Sequence, residues 1–236
     1  PEEQAYIIGV QANIWGEYIQ TPEYFEYMAF PRLLAMSEVQ WTQPEHKDFE
    51  SFARRLDKEF ERLDYCGVNA CRNFYEVNQA GAWNKSQQTY EVTLNTFCPD
   101  ADIYYAVNDS TVNTSSSLYE TPIPLDEDAT IYSAVYRSGK PLGKVTRKSF
   151  AVNKATGCDY TCNPEAGWEH LNKGFGLTDG RRGYARDMRR WISFYQDTVQ
   201  IVVELKKPQK VKEVAFSSLW RPVNEIWPAR AMGVSV

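Results

Sequence analysis

The sequence predicts a multidomain chain that opens as an α/β unit and continues as small antiparallel β modules. Two observations carry that prediction. Tyr6-Ile7-Ile8-Gly9-Val10 is a continuous apolar run without polar alternation, which suits a strand buried on both faces, as in a parallel sheet covered by helices, and a helix start follows at Thr21-Pro22. Beyond Gly81 the apolar period changes from helical spacing to strict alternation.

Composition bounds the function before any motif is read. A length of 236 residues allows one large domain or two to three smaller ones, and 43% hydrophobic with 24% charged residues is ordinary for a soluble globular chain. No apolar run is long enough to span a bilayer, so membrane insertion is not expected. A net charge of −5 and a pI near 5.3 argue against a nucleic-acid partner, which wants a basic surface. Fifteen Tyr and seven Trp suit either sugar faces or the core of a β-sandwich. Cys66, Cys71, Cys98, Cys158 and Cys162 make an odd count, read as isolated thiols or one local disulfide, and two His leave little for a zinc site. No signal peptide is visible, and Pro1 reads as the middle of a fold.

In chain order, Thr21 is placed to cap the first helix, Pro22 fits its first turn, and Glu23 and Glu26 complement the positive end of its dipole. Pro31 removes one backbone donor and splits 22–30 from a second helical segment ending near Trp41. Phe49, Phe52, Leu56, Phe60 and Leu63 then recur opposite Arg54, Lys58, Glu59 and Arg62, predicting an amphipathic helix over 47–65 that packs on its own domain, with Gly67 beyond its C-terminus. This first domain is expected to run from 1 to 75. Residues 76–88, rich in Asn, Gln, Gly and Ser without period, read as a linker. Tyr90, Val92 and Leu94, then Ile103, Tyr105 and Val107, then Ile131, Ser133 and Val135 alternate with polar residues and predict a small antiparallel β domain over 89–154. A third composition fills 155–236, where Val199, Ile201, Val203 and Leu205 alternate.

Trp15-Gly16-Glu17 occupies the loop after the first strand, the place where parallel α/β folds put ligand chemistry. Position alone leaves two readings open: a ligand-binding pair, or a core aromatic beside a solvated acid. Gly9-Val10-Gln11-Ala12-Asn13-Ile14-Trp15-Gly16-Glu17-Tyr18, Glu26-Tyr27-Met28-Ala29-Phe30-Pro31-Arg32-Leu33-Leu34-Ala35 and Glu38-Val39-Gln40-Trp41 together resemble the last strand and helix of family 20 glycoside hydrolases, the β-N-acetylhexosaminidases. The resemblance runs to about Asn69 and implies the closing β/α unit and helices of a TIM barrel. It implies Trp15 as a wall of the pocket around a terminal N-acetylhexosamine and Glu17 as acceptor from the sugar's hydroxyls. By the same resemblance the setting is the bacterial periplasm, cell surface or outside of the cell.

Asp102-Ile103-Tyr104-Tyr105 and Gly139-Lys140-Pro141-Leu142-Gly143-Lys144-Val145 are similar to the fibronectin-like module that follows the barrel in many bacterial family 20 enzymes, over roughly 81–153. That module usually carries Asp-Gly-Ser after its Tyr-Tyr strand; Asn108-Asp109-Ser110 lacks the Gly, which leaves the turn type open. The module is expected to be a spacer. Leu177-Thr178-Asp179-Gly180, Trp191-Ile192-Ser193-Phe194, the 199–205 alternation and Lys207-Pro208-Gln209-Lys210-Val211 resemble a discoidin-like, galactose-binding β-sandwich. Gly233-Val234-Ser235-Val236 reads as a strand interior, so that module is expected to be truncated. Asp179 stands where such domains often hold a structural calcium, although Asp before Gly is equally a turn residue. Arg181, Arg182, Arg186, Arg189 and Arg190, interrupted by Asp187, read as a solvated loop.

The family resemblance also implies a mechanism in which the substrate's acetamido oxygen attacks, while an Asp-Glu pair within His-Xaa-Gly-Gly-Asp-Glu orients the acetamide and donates the proton. That signature does not occur in these 236 residues; the adjacent pair Asp126-Glu127 lies in the β domain without the His or the glycines. The chain is therefore expected to supply no catalytic residue, but one wall of a pocket for N-acetylhexosamine-terminated glycans. The alternative is a non-enzymatic carbohydrate-binding or adhesion protein built from the two β modules.

Overall fold

The computed structural model describes residues 6, 9–165, 167, 176–180, 183 and 191–235. Helix α1 (Pro22–Ala29) begins where the sequence places it: the Thr21 hydroxyl accepts from the Tyr24 N–H, and Pro22 fills the first turn. Pro31 separates it from α2 (Arg32–Trp41), and the Arg32 guanidinium donates to the Tyr27 and Met28 carbonyls, which the break leaves without helical donors. Helix α3 (Phe49–Tyr65) is capped by Asp48, whose carboxylate accepts from the Glu50 and Ser51 N–H groups. It stops before Gly67, which takes the left-handed φ of 71° that ends many helices. Leu56 and Phe60 of its stripe join Ala70 in a small core flanked by Phe30, Leu34, Phe52, Leu63, Phe74 and Tyr75. Phe49, the first member of the stripe, stays largely exposed and meets Phe97 edge-on instead.

The middle of the chain is antiparallel β throughout: β1 (Asn78–Asn84), β2 (Thr89–Asn95), β3 (Asp102–Val107), β4 (Ser117–Leu118), β5 (Ile123–Leu125), β6 (Ala129–Arg137), β7 (Lys140–Pro141) and β8 (Thr146–Phe150). One sheet runs β1-β2-β5; the other runs β4-β3-β6-β7, with β8 also paired to β6. Tyr90, Val92, Leu94, Ile123 and Leu125 from the first sheet and Ile103, Ile131, Val135 and Phe150 from the second share one core, so the unit is a β-sandwich. The alternations read from the sequence are its inward faces, save that Val107 at the end of β3 is exposed.

The expected linker at 76–88 is corrected. Strand β1 pairs with β2 in full register, from Asn78 opposite Asn95 to Asn84 opposite Thr89. Its inward residues are Gln79 and Gly81 rather than large apolar ones, which hides the period. Gln79 donates to Ser133 Oγ at 2.8 Å and to the Thr146 and Ile131 carbonyls, tying β1 to the opposite sheet. At Gly81 a Cβ would fall 2.3 Å from the Tyr90 hydroxyl, so only glycine fits. The turn after β3 is made without the usual glycine because Asn108 itself takes the left-handed conformation, φ 58°, and accepts from the Thr130 N–H.

Two further expectations end differently. In the run predicted as a buried parallel strand, Ile7 and Ile8 lie outside the described residues, and Tyr6, Gly9 and Val10 are exposed and outside any strand. A buried strand needs ladder partners and covering elements, and every strand pairing among the described residues is antiparallel and made elsewhere. In the region read as a discoidin-like sandwich, β9 (Asp159–Asn163) and β10 (Gln200–Glu204) form a two-stranded ladder with Asp159 opposite Glu204. The described residues after Glu204 add one Arg221–Ile226 bridge and one 3-10 turn, so no second sheet faces that ladder among them. No helix among the described residues is long and apolar enough to cross a membrane.

Candidate functional site

Trp15 and Glu17 lie on the segment that enters α1. Trp15 is extended, with φ −82° and ψ 128°, and Gly16–Tyr18 forms one 3-10 turn closed by the Ile19 N–H on the Gly16 carbonyl at 3.1 Å. Just before it, the Gln11 amide donates to Asn13 Oδ1 at 3.1 Å. Trp15 is 74% exposed, Glu17 is also exposed, and neither side chain has a hydrogen-bond or ion-pair partner among the described residues. The pair thus presents an open indole face and an acceptor-only carboxylate two residues apart. Such groups can stack the apolar face of a ring and accept from hydroxyls at its edge.

The structure does not enclose them. A cavity of about 230 Å³ lies among Asn108, Asp128, Thr130, Ser149 and Phe150, and one of about 210 Å³ lies among Asn73, Glu76, Asn78, Asn95 and Phe97. Both belong to the sandwich and its approach, and neither is lined by Trp15 or Glu17. Asp126 and Glu127 sit exposed in the bend between β5 and β6, with no histidine near them in sequence.

Asp179 serves the turn it belongs to: its carboxylate accepts from the Gly176 N–H at 3.1 Å. Among the described residues no group of three or more His, Cys, Asp or Glu gathers for a metal. Arg181, Arg182, Arg186, Arg189 and Arg190 lie outside the described residues. All five cysteines are free, the isolated-thiol arm of the sequence reading. Burial pushes the Cys98 thiol up to about 11 despite the Arg137 guanidinium beside it, and burial also raises Cys162, so neither is an activated nucleophile.

Sequence reasoning missed one polar cluster: Arg54 and Asp57 of α3, with Asp100 and Arg137 of the sandwich. No local pattern marks it, because each charge sits on a face that reads as solvated and the pairing spans distant parts of the chain.

Comparison with known proteins places two segments. Residues 1–44 match the family model of the glycosyl hydrolase family 20 catalytic domain, and residues 78–147 match that of the chitobiase/beta-hexosaminidase C-terminal domain. A beta-hexosaminidase of Porphyromonas gingivalis (strain ATCC BAA-308 / W83) is 48% identical over 68 residues, 29% of this chain and 9% of that protein. A beta-N-acetylhexosaminidase of Cellulomonas fimi is 38% identical over 50 residues, 21% of this chain and 10% of that protein. The matched stretch is about a tenth of the length of these relatives. The first segment contains Trp15 and Glu17, and the second begins at the first residue of β1, so over these two stretches the chain is similar to a family 20 catalytic domain and to a chitobiase/beta-hexosaminidase C-terminal domain.

Proposed function

We propose that this chain is part of a β-N-acetylhexosaminidase that removes terminal N-acetylhexosamine from glycans by a retaining, substrate-assisted route, and that it supplies one wall of the sugar pocket at the end of a TIM barrel. The observation that carries the proposal is the coincidence of the family 20 match over 1–44 with an exposed Trp15-Gly16-Glu17 turn whose two functional side chains have no hydrogen-bond or ion-pair partner among the described residues. Trp15 stacks the apolar face of the pyranose, and Glu17 accepts from two neighbouring hydroxyls and fixes the ring's rotation. Proton transfer and acetamide orientation are assigned elsewhere, since the His-Xaa-Gly-Gly-Asp-Glu signature is not among these 236 residues.

Kinetics of the intact enzyme test this. A charged acceptor makes each sugar hydrogen bond worth about 1.5–3 kcal/mol. Glu17→Gln keeps the shape and removes the charge, and is expected to lower kcat/KM roughly ten- to a hundredfold with little change in melting temperature. Trp15→Ala should cost more, through loss of the stacking platform. Unchanged kcat/KM in a folded Glu17→Gln enzyme would return Glu17 to a solvated loop acid.

A further inference from the structure

The seam between α3 and the sandwich is built, not merely tethered. Phe74 and Tyr75, in the 3-10 turn Asn73–Tyr75, pack on both the α3 core and the sandwich core. The Phe60 ring lies 5.3 Å from Tyr75 and 5.8 Å from Phe74, and the Arg72 guanidinium stands 4.3 Å over its face. Gly143, between β7 and β8, presses on the same turn so closely that a Cβ would sit 2.5 Å from the Tyr75 carbonyl oxygen.

Charge closes the seam. Asp57 of α3 accepts the Tyr75 hydroxyl at 2.7 Å through Oδ1 and pairs with Arg137 of β6 at 2.9 Å through Oδ2. The second terminal nitrogen of Arg137 donates to the Pro99 carbonyl and the Cys98 sulfur, both at 2.9 Å. Arg54, one turn before Asp57, pairs with Asp100 at 2.9 Å on the outer side. The Asp57 and Arg137 side chains are only 23% and 31% exposed, so removing either leaves the other poorly solvated and unpaired. Burial is the largest single influence on Arg137 and alone would lower its pKa, but the hydrogen bond to Asp57 and the charges of Cys98, Asp57 and Tyr75 together hold the guanidinium above its ordinary value.

We propose that the sandwich is a brace for the catalytic-domain fragment, and that Asp57 and Arg137 are its latch: the module grips α3, which lies between the two matched segments, and α3 in turn holds α1 and α2. The hold continues through Arg55 of α3, which pairs with Glu38 of α2 at 2.7 Å. Past the end of α3, the Cys71 N–H donates to the Phe30 carbonyl and the Asn69 N–H to the Glu26 carboxylate. This replaces the expected spacer with a load-transmitting unit, and the brace stands whether or not Trp15 and Glu17 bind sugar.

Hydrogen–deuterium exchange of the full chain, read separately on peptides from α3 and from β2, tests the latch without any assay of activity. Removing Arg137 should let α3 open while the sandwich stays closed. Arg137→Met is therefore expected to speed α3 exchange by about tenfold or more relative to β2. An α3-to-β2 ratio equal to wild type, with the effect confined to β6 and residues 98–100, overturns the proposal. Should Arg137→Met fail to fold, Tyr75→Phe removes a single hydrogen bond to Asp57 and carries the same reading: a raised ratio supports the latch, and an unchanged one overturns it.

Discussion

Strand β6 and helix α2 are nearly equal in length, nine residues against ten, and both are rich in apolar side chains. In β6, Ala129, Ile131, Ser133, Ala134, Val135 and Tyr136 are buried. The strand is paired along both edges, with Ile131 and Val135 in the main core on one face and Ala134 and Tyr136 packed with Val112 on the other. In α2 no residue is buried, Val39 and Trp41 stand 57% and 86% exposed, and attachment comes from Leu34 on the α3 core and from the Glu38–Arg55 pair. Local patterning formed both elements. What differs is whether the described chain supplies something to cover the apolar face, and that decides where stability resides.

The largest test of this contrast pairs two truncations. Ile131→Ala removes buried methylenes from a fully enclosed site and should cost about 2–5 kcal/mol, whereas Val39→Ala on α2 should stay within about 0.5 kcal/mol. Chemical denaturation of the full chain measures both, and equal losses would break the comparison. A smaller effect belongs to the joint between the sandwich and the β9–β10 ladder. Gly157 has a φ of 71°, and a Cβ there would lie 2.1 Å from the Trp83 ring, which also carries the Lys206 ammonium 3.2 Å from its centroid. Gly157→Ala should therefore cost about 1–3 kcal/mol and expose Trp83, read by tryptophan fluorescence as well as by melting. Smaller again is Asp48→Ala. It deletes the cap of α3 and should cost about 1 kcal/mol, with the loss of helix visible in far-UV circular dichroism.

Where signal and physics were local, the sequence was sufficient. Thr21-Pro22, Pro31, the α3 stripe and the alternations at 90–94, 103–107 and 131–135 all correspond to the elements they indicate. Strand β1 was not legible because its inward positions are Gln79 and Gly81, chosen for a hydrogen bond and for closeness to Tyr90 rather than for hydrophobicity. The Asp57–Arg137 pair was not legible because it forms only when the fold brings α3 to the last residue of β6. For the candidate site, the identity of Trp15 and Glu17 came from a motif, and the structure adds that both are exposed beside a 3-10 turn. A pocket needs walls from several elements, and one turn cannot encode them.

The smallest expected effect bears on how α2 is held. Hydrogen bonding from Arg55 lowers the Glu38 pKa below the ordinary glutamate value; desolvation opposes it, and the Thr42 hydroxyl adds to it. The sign follows from linkage: a carboxyl whose folded pKa is depressed contributes stability above its unfolded value, about 4.3, and loses it as pH falls through the folded pKa. More than half of the Arg55 side chain is exposed, so water screens the pair and the contribution is small. Glu38→Gln is thus expected to lower the melting temperature slightly at neutral pH and to converge on wild type in acid, and raising the salt concentration should shrink the neutral-pH difference. Melting curves of both proteins across pH at two ionic strengths measure this. A large, salt-independent loss at neutral pH would mean that α2 is anchored as firmly as β6, and that the contrast between them is not one of burial.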